Sequence, residues 1–135
     1  MTTYPKLIMK DVLWVFTDYY ETMDNFIDKL IKYNEEISGI PFLFDKFDIA
    51  LNSSKINIQY MYWDDNDEDI IEPDFELTAN NQKAFTKCEL LYKVNNEVFE
   101  KLKMIDKHFF EGFQLFDRDN PNSPDVPLYF LLQGS

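Results

Sequence analysis

Glycine, cysteine, histidine and arginine are all scarce in this chain, and each scarcity removes a class of chemistry. The three glycines, Gly39, Gly112 and Gly134, stand far apart, so neither a phosphate-cradling loop nor a dinucleotide fingerprint can be assembled from them. Cys88 is the single cysteine, which excludes an internal disulfide and a thiolate metal cluster within the chain. It reads as a small apolar residue on a helix face. His108 is the single histidine and Arg118 the single arginine. With no Gly-x-Ser-x-Gly elbow and no residue partnered to His108 as a nucleophile, covalent catalysis lacks its components.

Long apolar runs are also missing. No stretch approaches the ~18 apolar residues that a membrane span needs, and residues 1–6 lack the basic, then apolar, pattern of a signal peptide. The expectation is a cytoplasmic protein that is not an enzyme, with no cofactor and no bound metal.

What is present is apolar bulk and negative charge. Hydrophobic residues make up 45% and aromatics 17% of 135 residues, enough for a single domain with its own core despite the charge. Against 13 Lys and Arg stand 25 Asp and Glu, a net charge of −12. Nucleic acids and anionic membrane surfaces are bound through Lys and Arg, so both are excluded as partners. The same field would draw in a basic protein and speed its association.

The acidity is concentrated. Asp64-Asp65-Asn66-Asp67-Glu68-Asp69-Ile70-Ile71-Glu72-Pro73-Asp74-Phe75-Glu76 holds eight carboxylates and no cation. Like-charge repulsion and Pro73 argue against a helix here, and residues 64–72 read as an exposed loop leading into a short strand. Tyr60, Tyr62 and Trp63 lie immediately before it. Tyr and Trp give contact area at low entropic cost, and carboxylates around them would engage Lys or Arg on a partner. Tyr62, Trp63, Asp64, Asp65, Asp67, Glu68, Asp69, Glu72 and Asp74 are therefore the candidate partner-binding residues. The plainer alternative is a solvated connector whose rings finish the rim of a sheet.

The periodicity predicts an α+β fold, two helices on one face of a largely antiparallel sheet. Residues 11–17 read as a strand buried on both faces. Asp18 with Glu21 forms a capping-box-like pair ahead of a helix with Met23, Phe26, Ile27, Leu30, Ile31, Asn34 and Ile37 on its apolar stripe, stopped by Gly39. Alternatively, residues 27–33 form a strand turning into residues 41–44. Residues 47–51 and 56–63 read as a hairpin about Asn52-Ser53-Ser54-Lys55. Phe75, Leu77 and Ala79 mark a further strand. Thr86 and Glu89 have capping-box spacing before a helix carrying Leu91, Val94, Val98, Leu102 and Ile105. Residues 109–116 and 128–132 form a closing hairpin with a long tip. Each half reads strand, helix, strand, strand, a pseudo-repeat without residue-level similarity.

Two other chemistries have partial matches in the sequence. His108, with Asp106 before it and Glu111 after, could serve proton transfer in a small enzyme or ligand-binding domain. Ordinary hydrogen bonding at a helix end is the simpler role. Asp65, Asp67 and Asp69 alternate like the first ligands of a calcium loop, but Ile70 stands where a glycine is needed and Pro73 intrudes.

A compact acidic chain with Trp14-Val15-Phe16-Thr17-Asp18-Tyr19-Tyr20, Phe85-Thr86-Lys87-Cys88-Glu89-Leu90-Leu91-Tyr92, His108-Phe109-Phe110-Glu111-Gly112 and Pro127-Leu128-Tyr129-Phe130-Leu131-Leu132-Gln133-Gly134-Ser135 resembles the small bacterial immunity proteins that neutralise secreted toxins. The resemblance runs over the whole chain. It implies stoichiometric inhibition of a cognate, basic toxin such as a nuclease, with the acidic surface occupying the toxin's cleft. It transfers no individual functional residue, and it leaves monomer and homodimer equally open.

Overall fold

The computed structural model describes residues 3–42, 45, 47–64 and 69–135. Its elements are β1 (Leu7–Ile8), β2 (Trp14–Val15), α1 (Met23–Ser38), β3 (Ile49–Leu51), β4 (Lys55–Gln59), β5 (Tyr62–Trp63), β6 (Ile70–Ile71), β7 (Asp74–Thr78), β8 (Phe85–Thr86), α2 (Lys87–Leu102), β9 (Phe109–Leu115) and β10 (Leu128–Gly134). The fold is α+β, with a mostly antiparallel main sheet. No described helix is long and apolar enough to cross a membrane.

The six-stranded sheet runs β1-β9-β10-β4-β7, with β2 also pairing β9 beyond the end of β1. Every pairing is antiparallel except β10 with β4. That one parallel pair sits in a sheet that is otherwise antiparallel, in keeping with the expected largely antiparallel arrangement. It is possible because β4 and β10 are remote in sequence and the long connection between them includes α2. The order strand, helix, strand, strand does recur in the two halves, yet the pairing does not: β9 forms a hairpin with β10, whereas β3 leaves β4 and pairs with β8. The hairpin expected between residues 47–51 and 56–63 is thus replaced by a long-range contact that also brings Asp48 to the start of α2, where its carbonyl accepts from Lys87 N–H.

Both helices bury one stripe into a single core. Phe26 and Leu30 of α1 and Leu91, Val94, Val98 and Leu102 of α2 join Ile56, Ile58, Leu77, Phe113, Tyr129 and Leu131 from the sheet. In α1 the cap is Thr22, whose hydroxyl accepts from Asn25 N–H, and Gly39 closes the helix at φ 74°. Asp18 does not cap it. Its carbonyl instead accepts from Asn95 Nδ2, and Tyr20 is held through both its backbone groups by Asn96, so residues 18–20 are tied to α2. Residues 27–33 are helical, and Ile37 is exposed. In α2, Thr86 Oγ1 accepts from Glu89 N–H as the spacing predicts.

The segment 11–17 is not buried on both faces. Val12, Trp14 and Phe16 point inward while Leu13 is exposed, and only Trp14–Val15 is strand. Leu43 and Phe44, part of the alternative strand, lie outside the described residues.

Candidate functional site

The hairpin that carries the acidic run grows out of the main sheet. Strands β4 and β7 pair from Lys55 with Thr78 to Gln59 with Asp74, and β5 and β6 continue the same register, Tyr62 opposite Ile71 and Trp63 opposite Ile70. Between the two stretches Tyr60 N–H donates to the Pro73 carbonyl at 3.1 Å, and beyond them Asp64 N–H donates to the Asp69 carbonyl at 3.0 Å. The expected loop from 64 to 72 is therefore the end of a long hairpin: Ile70–Ile71 is strand. Asp65, Asp67 and Glu68 lie outside the described residues.

β5 and β6 pair only with each other among the described strands, because β10 accompanies β4 no further than Phe130 opposite Gln59. A side chain takes over from there. Gln133 accepts from Met61 N–H and donates to the Met61 carbonyl, and it also donates to the Lys107 carbonyl between α2 and β9.

Within the hairpin the candidate residues separate into different environments. Tyr62 is half-buried, its ring 6.1 Å from that of Tyr60 and beneath the Lys101 ammonium at 5.2 Å. Burial first, then the neighbouring Tyr62 and Glu97, raises the Tyr60 phenol above its ordinary value. Both tyrosines thus anchor the hairpin's root to the end of α2.

Trp63 lies on the other face of β5, beside Ile70. It walls a groove of about 410 Å³ with Met104, Ile105, Asp106, Lys107 and Ser135. Met104 is 82% and Ile70 56% exposed, so this end of the molecule presents apolar surface, and Asp64 and Asp69 form the next rung of the hairpin. Ile70, Ile71 and Met104 were not singled out from the sequence. Two isoleucines inside an acidic run were the available signal, since charged loops seldom need them.

Asp74 and Glu72 belong elsewhere. The Asp74 carboxylate accepts from Asn122 Nδ2 at 3.0 Å and from Asn57 Nδ2 at 3.4 Å, part of a network in which buried Asn120 also donates to Asn57. That network ties the 117–126 loop to the sheet face opposite the helices. Glu72 is exposed, and its carbonyl accepts from Gln59 Nε2.

The alternative centre at His108 and Glu111 is not assembled. His108 precedes β9, half-buried, with its ring 4.7 Å from that of Phe109, and its carbonyl accepts from Phe16 N–H. Its Nδ1 is buried with no hydrogen-bond partner among the described residues. The exposed Glu111 carboxylate lies against Gly134, in space that a side chain there would take only by pushing the Glu111 side chain aside. No hydrogen bond joins the two among the described residues. The grooves at Trp63, at Trp14 and at Gln59 include neither in their walls. Cys88 is fully buried on α2, and no group of three metal-ligating side chains is found among the described residues.

No protein-family model, curated protein or solved structure matches this chain.

Proposed function

We propose that the chain is an inhibitory binding protein of the immunity type, acting in the cytoplasm, which neutralises a basic toxin by covering it with the hairpin of residues 62–72. The observation that carries this reading is the pairing of half-buried Trp63 with exposed Ile70, followed at the next rung by Asp64 and Asp69, at the end of a hairpin reaching past the main sheet. Apolar residues ringed by charge are the composition of a contact whose centre excludes water while its rim selects the partner's sign.

Inhibition follows from occupancy. A toxin that acts on nucleic acid needs a cationic cleft, and a carboxylate-bearing hairpin seated there competes with phosphate for the same Lys and Arg side chains. The net charge of −12 adds a long-range attraction that raises the association rate and falls with salt. Tyr60, Tyr62 and Gln133 fix the root of the hairpin at residues 60–62, which lowers the ordering entropy lost there on binding.

The test is a growth assay. Each protein encoded beside this chain is expressed alone and with it, and one is expected to be toxic alone and harmless with the wild-type chain. The triple variant Asp64→Lys, Asp69→Lys, Glu72→Lys is expected to fail to protect while remaining folded. Rescue by the triple variant equal to that of wild type, or the absence of any toxic neighbour relieved by the chain, overturns the reading.

A further inference from the structure

The main sheet ends on two unlike edges. On one side β1 and β2 lie against β9 as two short pieces, interrupted between Ile8 and Trp14 by an excursion in which Met9 takes φ 60°. Interruption of this kind is a standard way of blunting an edge against unwanted pairing. On the other side β7 is a straight run of five residues, in register with β4 at every position.

The ladder fixes which backbone groups of β7 face outward. In an antiparallel pair, opposed residues alternate between those that exchange hydrogen bonds and those whose N–H and C=O point away. Ala79 N–H donates to the Ser54 carbonyl and Tyr60 N–H to the Pro73 carbonyl, so the pairs Leu77 with Ile56 and Phe75 with Ile58 turn toward each other. Asp74, Glu76 and Thr78 turn their backbone outward. Lys93 Nζ takes the Thr78 carbonyl at 2.7 Å and closes that end. Asp74 and Glu76 are exposed, and no second strand pairs with β7 among the described residues.

Charge decides what such an edge accepts. The Asp74 and Glu76 side chains share the sheet face opposite the core, where residues directly across on an added strand would sit roughly 5 Å away. A second copy of this chain, pairing antiparallel about Phe75, would set Asp74 against Glu76 twice over, and like charges so opposed are destabilising. An extended segment with Lys or Arg at alternate positions would place cations opposite both carboxylates, and its intervening apolar residues beside half-buried Phe75.

We propose that β7 is a docking edge, to which the basic partner inferred above adds a strand of alternating cationic and apolar residues. The proposal rests on that reading for the sign of the partner's charge, and it adds the mode of attachment: backbone pairing at Asp74 and Glu76, continuous with the hairpin beyond. Main-chain hydrogen bonds then supply affinity, and the two carboxylates supply selectivity.

The probe is a capped peptide of alternating lysine and valine, with a second version N-methylated at alternate amides, equal in charge but unable to pair as a strand. Binding is read by fluorescence anisotropy, and the site by amide hydrogen exchange. The unmodified peptide is expected to protect the amides of Asp74 and Glu76. Methylation of the peptide, or Glu76→Pro in the chain, is expected to weaken it at least roughly tenfold, since either removes a donor and inserts bulk at the seam. Proline is tolerated at an outward edge position, and should the variant not fold, the methylated peptide on the wild-type chain makes the same test. Equal binding of both peptides, protection confined to the 62–72 hairpin, or no binding overturns strand addition. The growth assay judges the inhibitor reading separately: a chain that rescues growth while its β7 amides stay unprotected keeps the function and loses this edge.

Discussion

Gln133 behaves toward Met61 as a missing strand would. Its side-chain Oε1 accepts from Met61 N–H at 2.9 Å and its Nε2 donates to the Met61 carbonyl at 3.0 Å, closing both backbone groups where the parallel ladder of β4 and β10 has ended. The same Nε2 reaches the Lys107 carbonyl at 2.9 Å. One amide therefore joins the root of the acidic hairpin, the last strand and the segment leaving α2.

Gln133→Leu keeps most of the volume and deletes every one of these bonds. The part-buried Met61 and Lys107 groups lose their partners, and an unfolding free energy lower by about 1–3 kcal/mol is expected in urea denaturation. Amide exchange within residues 60–73 should accelerate more than exchange in α2. A uniform change across the chain would mean that Gln133 does not act on the hairpin in particular.

Trp14 and Asn95 make a second test, in the core. The indole Nε1 donates to Asn95 Oδ1 at 3.0 Å, and Asn95 Nδ2 passes the chain of bonds to the Asp18 carbonyl. Asn95 is fully buried, so Asn95→Leu strands an indole N–H and a carbonyl and adds crowding, at about 2–4 kcal/mol. Asn95→Asp should do comparable harm, because the Asp18 carbonyl then faces an acceptor. Chemical denaturation of both variants checks this.

Much of the fold was legible because its signals are local. The α2 stripe and the Thr86 cap depend on spacing within a few residues, and both stand where the periodicity puts them except at Ile105, which lies past the end of α2 at Leu102. The α1 start was misread because Asp18 and Thr22 both have capping side chains. What selects Thr22 is the grip of Asn95 and Asn96 on residues 18–20, a contact from more than seventy residues away. The β3 pairing with β8 and the parallel pairing of β10 with β4 are similarly remote, and no turn residue encodes either.

The candidate site was legible in composition and misread in form. Charge density located the hairpin, but the strand within it is written only in Ile70 and Ile71, and the split roles of Tyr62 and Trp63 follow from the alternation of faces once that strand exists. Asp74 counted as one more carboxylate in the run. Its distinct role depends on Asn57 and Asn122, which no local pattern connects.

Gly112 tests the bulged edge. Its φ of 109° lies where side chains are strained, and a Cβ there would stand 3.1 Å from both the Ile8 carbonyl oxygen and Lys10 Cα. The excursion between β1 and β2 thus crosses β9 where a glycine lets two backbones approach. Gly112→Ala is expected to lower stability by about 1–3 kcal/mol and to shift the melting temperature down. Gly39→Ala, with open space around its Cβ and only the positive φ against it, should cost less, about 1 kcal/mol.

Tyr129 sets an alkaline limit on the fold. Its hydroxyl donates to the Pro5 carbonyl at 2.6 Å, and burial, with a smaller contribution from Tyr4, raises its phenol well above the ordinary value of 10.0. Burial raises Tyr20, Tyr33 and Tyr60 in the same direction. Below the unfolded value both states keep these protons, and the titration leaves stability unchanged. Above it the unfolded chain releases them while the folded chain holds them, so stability must fall as pH climbs past about 10. Alkaline unfolding should therefore begin near that pH, with tyrosinate absorbance rising together with loss of the folded circular dichroism signal. Tyr129→Phe removes one of the groups responsible and the Pro5 hydrogen bond as well. It is expected to be about 1 kcal/mol less stable at neutral pH yet to show a shallower decline above 10. Tyrosinate absorbance that rises fully before the fold is lost would show that these phenols ionise in place.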